Sequence, residues 1–226
     1  MNETLYVYGD SLLKATVPDE QFRYHFHIDE LLGKYVQQGE QVVNRAKMGA
    51  TIRKGEALVQ HDLDRGLEAR CALVGYGGND SDFDWAAVAA EPEGEHHPKT
   101  ELQEFMATLR RTAGNLKERG IQPVLMTLPP IDAQRYLDFI CRKGLDRSRI
   151  LSWLGDCQMI YRFQELYSHA VARVASEDDL PLIPAREAFL WDRSCANMIA
   201  ADGIHLTMPG YGRLYDTISQ WIHKHI

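Results

Sequence analysis

Short apolar segments alternate with amphipathic segments along almost the whole chain, and this alternation constrains the fold more than any other feature. Between Ile28 and Val36, for example, apolar residues follow the i, i+3, i+4, i+7, i+8 spacing of a helix face. Strand–helix alternation predicts an α/β fold, a parallel sheet with helices on both faces. We expect five strands, at residues 5–8, 41–44, 72–76, 123–128 and 182–183.

Two helices carry clear end signals. Thr100 and Gln103 form a T-x-x-Q pattern, which predicts a capping box at the start of one helix, and Gly120 suits the position just past its end. Pro209 fits the first turn of the last helix.

Length and composition indicate one globular domain covering residues 1–226, since the chain is 45% hydrophobic and 25% charged. A net charge of −7 with scattered Lys and Arg argues against a nucleic-acid partner.

No apolar run has the length of a membrane span, and the N-terminus does not resemble a signal peptide, so we expect a cytoplasmic protein. The four cysteines form no C-x-x-C pair and are expected to be free thiols. These features do not predict an oligomeric state.

Three short motifs fall at strand ends or before a helix. Gly9-Asp10-Ser11 follows the first predicted strand, Gly77-Gly78-Asn79-Asp80 follows the third, and Asp202-Gly203-Ile204-His205 precedes the last helix. Open α/β sheets bind ligands at the carboxyl ends of their strands. We therefore expect the three motifs to meet at one edge of the sheet.

The motifs contain the parts of a nucleophilic site. A serine hydroxyl needs a base within hydrogen-bond reach and a third group that holds the base. Ser11 is expected to be exposed at a strand end that opens a helix, and Asp202 is close enough in sequence to reach Nδ1 of His205. His205 Nε2 is then free to take the proton of Ser11. Taken singly, Ser11 is more typical of a helix cap or turn than of a nucleophile, and His205 of an ordinary histidine.

An oxyanion formed at this site needs preorganised donors. The candidates are the backbone N–H groups of Ser11 and Gly49 and the side-chain amide of Asn79. The structural alternatives are a loop glycine with positive φ and a turn-forming asparagine. Asp10 is assigned a structural role, with its carboxylate accepting hydrogen bonds from backbone amides in the turn after the first strand.

These motifs resemble those of the SGNH hydrolase family, the GDSL esterases and lipases. Gly9-Asp10-Ser11 matches its first block, Gly49 its second, Gly77-Gly78-Asn79-Asp80 its third and Asp202-Gly203-Ile204-His205 its fifth. The G-x-S-x-G motif of α/β-hydrolases is absent. The resemblance implies a three-layer α/β/α sandwich of flavodoxin-like type. It also implies a Ser11, Asp202, His205 triad and an oxyanion hole of Ser11, Gly49 and Asn79.

Substrate recognition is predicted from less specific features. The segment at about 129–158 matches no family block and is expected to form one or two short helices at the site rim. Its aromatic residues Tyr136, Phe139 and Trp153 are expected to line or cover an acyl pocket. Asp82 and Trp85 either lie at the pocket mouth or form a solvated turn and a core contact. A metal site is not favoured, although Glu93, Glu95, His96 and His97 are close in sequence.

The sequence thus predicts a serine esterase that works through an acyl-enzyme without a metal or organic cofactor. Its expected partner is a small-molecule ester: a small acyl ester, an acetylated sugar, a thioester or a lysophospholipid. Two alternatives remain at this point. One is a flavodoxin-like module that binds a small molecule without turnover, and the other is an acyltransferase with the same triad.

Overall fold

The computed structural model describes residues 4–36 and 40–226. Its elements in chain order are β1 (Thr4–Gly9), β2 (Thr16–Pro18), β3 (Tyr24–Phe26), α1 (Ile28–Tyr35), β4 (Gln41–Asn44), α2 (Ile52–Asp64), β5 (Cys71–Gly75), α3 (Trp85–Ala90), α4 (Leu102–Glu118), β6 (Gln122–Met126), α5 (Ala133–Cys141), α6 (Arg147–Leu154), α7 (Met159–Glu177), β7 (Leu182–Ile183), α8 (Ala185–Leu190), α9 (Cys195–Met198) and α10 (Met208–His225).

The central sheet has five parallel strands in the order β4-β1-β5-β6-β7, which confirms the predicted fold class and strands. In the register of the sheet, Leu5 of β1 lies opposite Val42 of β4 and Cys71 of β5. All five residues of β5 are buried. A parallel sheet covered on both faces requires such continuous apolar strands, because neither face meets water.

Helices cover both faces of the sheet. One core cluster packs the sheet against α2, α4 and α7 and includes Val59, Leu109 and Val171. The other packs it against α1, α8 and α10 and includes Phe189 and Leu214. A third, smaller cluster joins α3, α5, α6 and the start of α7. The arrangement is the expected α/β/α sandwich, with the third cluster added beside it.

The sequence prediction for the start of α4 is wrong, whereas the other helix signals are confirmed. The helix begins at Leu102, and its N-cap residue, Glu101, makes no side-chain cap bond. Thr100 is instead held by the preceding loop, because its N–H donates to Asp80 O and its own carbonyl accepts from Tyr167 Oη. Gly120 has a φ of +72°, and Pro209 lies in the first turn of α10.

The segment after β1 also differs from the prediction. Ser11 does not open a helix and is only 8% exposed. The chain turns back at once, with N–H groups of Ala15 and Thr16 donating to the carbonyls of Leu12 and Ser11. It continues as an antiparallel ribbon of β2 and β3, two strands of three residues each that were not predicted from the sequence.

The structure agrees with the sequence predictions for the rim segment and for the cysteines. The rim segment contains two short helices, α5 and α6. All four cysteines are free thiols. Among the helices formed by residues 4–36 and 40–226, none combines the length and the apolar character that a bilayer crossing requires.

Candidate active site

The first and last motifs meet at the carboxyl edge of the sheet. Ser11 follows β1, which lies between β4 and β5 in the sheet. The loop between α9 and α10 is closed by a bridge between Ile199 and Leu206 and by a hydrogen bond from Ala200 N to His205 O of 2.8 Å. This closed loop holds Asp202 and His205 in a fixed relation opposite Ser11.

The three side chains form a continuous hydrogen-bonded chain. Ser11 Oγ lies 2.9 Å from His205 Nε2, and His205 Nδ1 lies 2.6 Å from Asp202 Oδ2. The other carboxylate oxygen of Asp202 accepts from the N–H of Ile204 at 3.2 Å and of His205 at 3.0 Å. Asp202 is fully buried and His205 is 3% exposed. A buried imidazole held in this way can accept a proton from the hydroxyl.

The electrostatics of the pair favour a charged carboxylate. Burial by itself raises the pKa of Asp202, but the hydrogen bond and charge of His205, with the two backbone N–H groups, hold it below its ordinary value. An ionised Asp202 accepts from Nδ1–H and therefore selects the tautomer that leaves Nε2 free to face Ser11.

Asp10 and Asn79 lie beside this chain. As predicted, the Asp10 carboxylate accepts from a backbone N–H in the turn, that of Leu12 at 2.9 Å. Its other oxygen accepts from Asn79 Nδ2 at 3.1 Å. Burial raises the pKa of Asp10 to about 6, opposed by the Leu12 N–H, the charge of His205 and the Asn79 amide. The hydrogen bond from Asn79 to Asp10 therefore fixes the orientation of the Asn79 side chain.

Gly49, the second backbone donor predicted for the oxyanion hole, does not line the cleft. It is exposed, has a φ of +67°, and follows β4 in a turn tied to β1 by the hydrogen bond from Lys47 N to Gly9 O of 2.9 Å. Asn79 is part of the cleft wall, and Gly49 is not.

A cleft of about 610 Å³ opens from Ser11 and His205 toward α3, α5 and α7. Of the residues predicted for substrate binding, Asp82, Trp85 and Tyr136 line it. Phe139 and Trp153 stand behind its walls: Phe139 stacks on Tyr136 with ring centroids 6.2 Å apart. Trp153 meets the edge of Phe83 at 5.0 Å.

Sequence reasoning missed Tyr24. It lies on β3, and its ring packs against the imidazole of His205. Burial, and then the Asp202 carboxylate, raises the pKa of Tyr24 to about 12. The period-two run of aromatic residues Phe22, Tyr24 and Phe26 is the one sequence signal that indicates a strand here.

In the polar loop that contains His96 and His97, the imidazole of His97 lies between two carboxylates. His97 Nδ1 lies 2.7 Å from Glu101 and its Nε2 lies 3.4 Å from Glu95. Across the described ranges 4–36 and 40–226, no three His, Cys, Asp or Glu side chains converge in a way that would hold a metal ion.

The chain is similar to esterases along nearly its whole length. It is 22% identical over 220 residues to an isoamyl acetate-hydrolyzing esterase of Saccharomyces cerevisiae, covering 96% of this chain and 84% of that protein. Among solved structures, the fold matches a lipase/acylhydrolase from Enterococcus faecalis with a TM-score of 0.63 and 18% identity, covering 99% of this chain and 96% of the other. It also matches a variant of an acetyl xylan esterase from Geobacillus stearothermophilus with a TM-score of 0.66 and 20% identity, covering 99% of this chain and 96% of the other.

The family assignment rests on a match that includes all three motifs. Residues 7–213 match the model of the GDSL-like lipase/acylhydrolase family, from β1 to the first turns of α10. The chain therefore belongs to the GDSL-like lipase/acylhydrolase family and is a hydrolase of ester bonds.

Proposed function

We propose that the protein is a serine esterase that cleaves carboxylic esters through an acyl-enzyme. His205 Nε2 takes the proton of Ser11 Oγ as this oxygen attacks the ester carbonyl. His205 then protonates the leaving alcohol, and later it activates the water molecule that releases the acid. Asp202 holds the imidazole and stabilises its charged form.

The observation that carries the proposal is the unbroken chain of hydrogen bonds from Ser11 Oγ through His205 to Asp202. Burial supports it, since hydrogen bonds to charged groups are stronger where water is excluded. The similarity of the chain to an isoamyl acetate-hydrolyzing esterase and to an acetyl xylan esterase supports an ester as the substrate.

We assign the oxyanion hole to the backbone N–H groups of Ser11 and Gly49 and to the side-chain amide of Asn79. The position of Asn79 in the cleft wall, with its amide oriented by Asp10, supports its part in this assignment. The part of Gly49 is supported by its turn after β4, which the hydrogen bond from Lys47 N to Gly9 O ties to the end of β1, two residues before Ser11.

The test is hydrolysis of p-nitrophenyl acetate by the wild type and by Ser11→Ala. We expect kcat to fall by about 10³-fold or more in the variant, with the far-UV circular dichroism unchanged. The matched control is Ser152→Ala, a change at an exposed serine of α6, which should keep wild-type activity. A Ser11→Ala protein with wild-type turnover would refute the proposal.

Two further measurements separate this function from its alternatives. A fluorophosphonate probe should label Ser11 in the folded wild type, whereas a module that only binds its ligand would stay unlabelled. Product analysis in the presence of added alcohols distinguishes a hydrolase from an acyltransferase. We expect the free acid as the main product, and transfer to the alcohol would favour the acyltransferase.

A further inference from the structure

The walls of the cleft are mainly apolar. Beyond Ser11 and His205, the residues that form them include Phe83, Trp85, Ile131, Tyr136, Ile160 and Phe163. These side chains come from the loop before α3 and from α3, α5 and α7, together with the connections between them. Their contacts belong largely to the third core cluster, so the cleft is an extension of a packed core.

Among the described residues that line the cleft away from the reaction centre, Asp82 is the one with a charged side chain, and its carboxylate oxygens have partners within the protein. Oδ1 accepts from Trp85 Nε1 at 2.8 Å and from Tyr136 Oη at 2.9 Å. Oδ2 accepts from Lys99 Nζ at 2.7 Å, which also balances the negative charge. Asp82 thereby holds two aromatic rings, from α3 and α5, in place as cleft walls.

Two further polar side chains of this part of the wall, Gln164 and Ser81, are engaged in the same way, and at the reaction centre Asn79 Nδ2 donates to Asp10. Gln164 Nε2 donates to Pro129 O at 2.8 Å, and its Oε1 accepts from Arg186 Nη1 at 2.9 Å. Ser81 Oγ donates to Gly78 O at 3.0 Å. A sugar hydroxyl entering the cleft would have to compete with these bonds, whereas a hydrocarbon group would lose nothing by leaving water.

We propose that the cleft selects esters that carry an apolar group of more than two carbons over esters of sugars, and that Asp82 is the positioning residue that gives it this selectivity. The proposal rests on the esterase function above. The apolar group belongs to the acyl part or to the alcohol part of the ester, and the experiment has an arm for each. Buried hydrocarbon supplies the binding free energy, and the fixed rings of Trp85 and Tyr136 supply the shape.

The first experiment compares kcat/KM of the wild type across two series of esters. The acyl arm uses p-nitrophenyl acetate, butanoate and hexanoate, and the alcohol arm uses 3-methylbutyl acetate and an acetylated methyl xyloside. If the apolar group is in the acyl part, we expect kcat/KM to rise about tenfold from p-nitrophenyl acetate to the butanoate. If it is in the alcohol part, we expect kcat/KM for 3-methylbutyl acetate to exceed that for the xyloside ester about tenfold. A flat acyl series together with an equal or better xyloside ester would overturn the proposal.

The second experiment tests Asp82 through the ratio of kcat/KM for hexanoate to that for acetate. Asp82→Ala removes the acceptor of Trp85 Nε1 and Tyr136 Oη, so we expect the ratio to fall about fivefold, mainly through KM for hexanoate. Asp82→Asn keeps an acceptor oxygen and should stay within about twofold of the wild-type ratio. A role in stability alone would lower the melting temperature and leave this ratio unchanged.

Two more variants keep the test decisive. Tyr136→Phe removes one of the hydrogen bonds to Asp82 while keeping the ring, and it should lower the same ratio even if Asp82→Ala fails to fold. Leu166→Ala changes a side chain on α7 that is 46% exposed, and it should leave the ratio unchanged. A wild-type ratio in Tyr136→Phe and in any folded Asp82→Ala protein would overturn the role of Asp82.

Binding without turnover separates this proposal from the esterase function. The Ser11→Ala protein is titrated with hexan-1-ol and with methyl xyloside, and tryptophan fluorescence is followed, with Trp85→Phe identifying the signal of the cleft. Saturable binding of hexan-1-ol alone supports apolar selectivity even if the wild type hydrolyses none of the esters. Preference for the xyloside overturns it even if the wild type is an active esterase.

Discussion

The phenol ring of Tyr24 packs on the imidazole of His205, with ring centroids 5.0 Å apart and planes inclined at 55°. Tyr24 belongs to the β2–β3 ribbon, which follows directly on the turn that carries Ser11. Next to it, Phe22 contacts Phe139 of the rim at 5.2 Å, and Arg142 lies over both rings. The ribbon thus covers one side of His205 and is anchored to α5.

Replacing Tyr24 should affect the rate through the ring more than through the hydroxyl. An aromatic contact of this kind contributes about 0.5–1.5 kcal/mol, so we expect Tyr24→Leu to lower kcat about two- to tenfold on p-nitrophenyl acetate. Because Tyr24→Phe keeps the ring that packs on His205, it should stay within about twofold of the wild type.

The neighbouring residue of β3 provides the control. His25 is exposed, and His25→Leu should leave kcat unchanged. Equal losses in Tyr24→Phe and Tyr24→Leu would show that the hydroxyl, not the ring, supports His205.

Asp202→Asn should remove most of the activity while the loop keeps its shape. An asparagine oxygen can still accept from the backbone N–H groups of Ile204 and His205, but it no longer favours the tautomer with the proton on Nδ1 or the charged imidazolium. We expect kcat to fall by about 10² to 10⁴-fold, measured on p-nitrophenyl acetate. A decrease of less than tenfold would mean that another group orients His205.

Gly203 lies where the loop of the last motif touches the start of α5. It has a φ of +80°, and a Cβ here would lie 2.4 Å from Tyr136 N and 2.5 Å from Asp132 O. Gly203→Ala should therefore lower the free energy of unfolding by about 3 kcal/mol or more in urea titrations, and lower kcat as His205 shifts.

Gly155 is the matched control for this change. Its φ is +72°, but no atom lies within 4 Å of the position that a Cβ would take. Gly155→Ala should cost only backbone strain, on the order of 1–3 kcal/mol, because its φ of +72° and ψ of −37° are a sparsely populated conformation for residues with a Cβ. Equal destabilisation in both variants would show that the close approach at Gly203 has little effect.

Asp80 should make stability depend on pH. Its carboxylate accepts from Ile52 N at the start of α2, at 3.0 and 3.1 Å. Burial raises its pKa from 3.8 to about 6, with hydrogen bonds from Thr100 and Ile52 opposing and the charge of Asp10 adding to the rise. Between these two pKa values the native state binds more protons than the unfolded state. The contribution of Asp80 to the free energy of unfolding is therefore fully present below the unfolded-state pKa, and it is lost as the pH rises through the native-state pKa.

Asp80→Asn keeps an acceptor for Ile52 N and removes the titration. Relative to the variant, the wild type should lose up to about 1.4 kcal/mol of unfolding free energy per pH unit between these two pKa values. Urea titrations of both proteins at several pH values measure this difference. Parallel curves for the two proteins would contradict it.

The sequence alone was enough to predict the central sheet and some of the helices that flank it, such as α1, α4 and α10, but α2 and α8 were not predicted. Strand–helix alternation identified all five strands of the sheet. Strands such as β5 and β6 are continuous apolar runs, because helices cover both faces of a parallel sheet and neither face meets water. It also indicated that the motifs would meet at one edge, since parallel strands end together there. The hydrogen bonds between Ser11, His205 and Asp202 agree with that expectation.

Only the tertiary structure decided what surrounds the reaction centre. The ribbon that carries Tyr24 consists of three-residue strands, and its contact with His205 joins residues 181 positions apart in the chain. The bonds of Asp82 to Trp85 and Tyr136 likewise depend on how α3 and α5 pack. Local sequence patterns report which face of an element is apolar. The partners of a buried polar group are set by packing between distant segments, and that information is not contained in any local pattern.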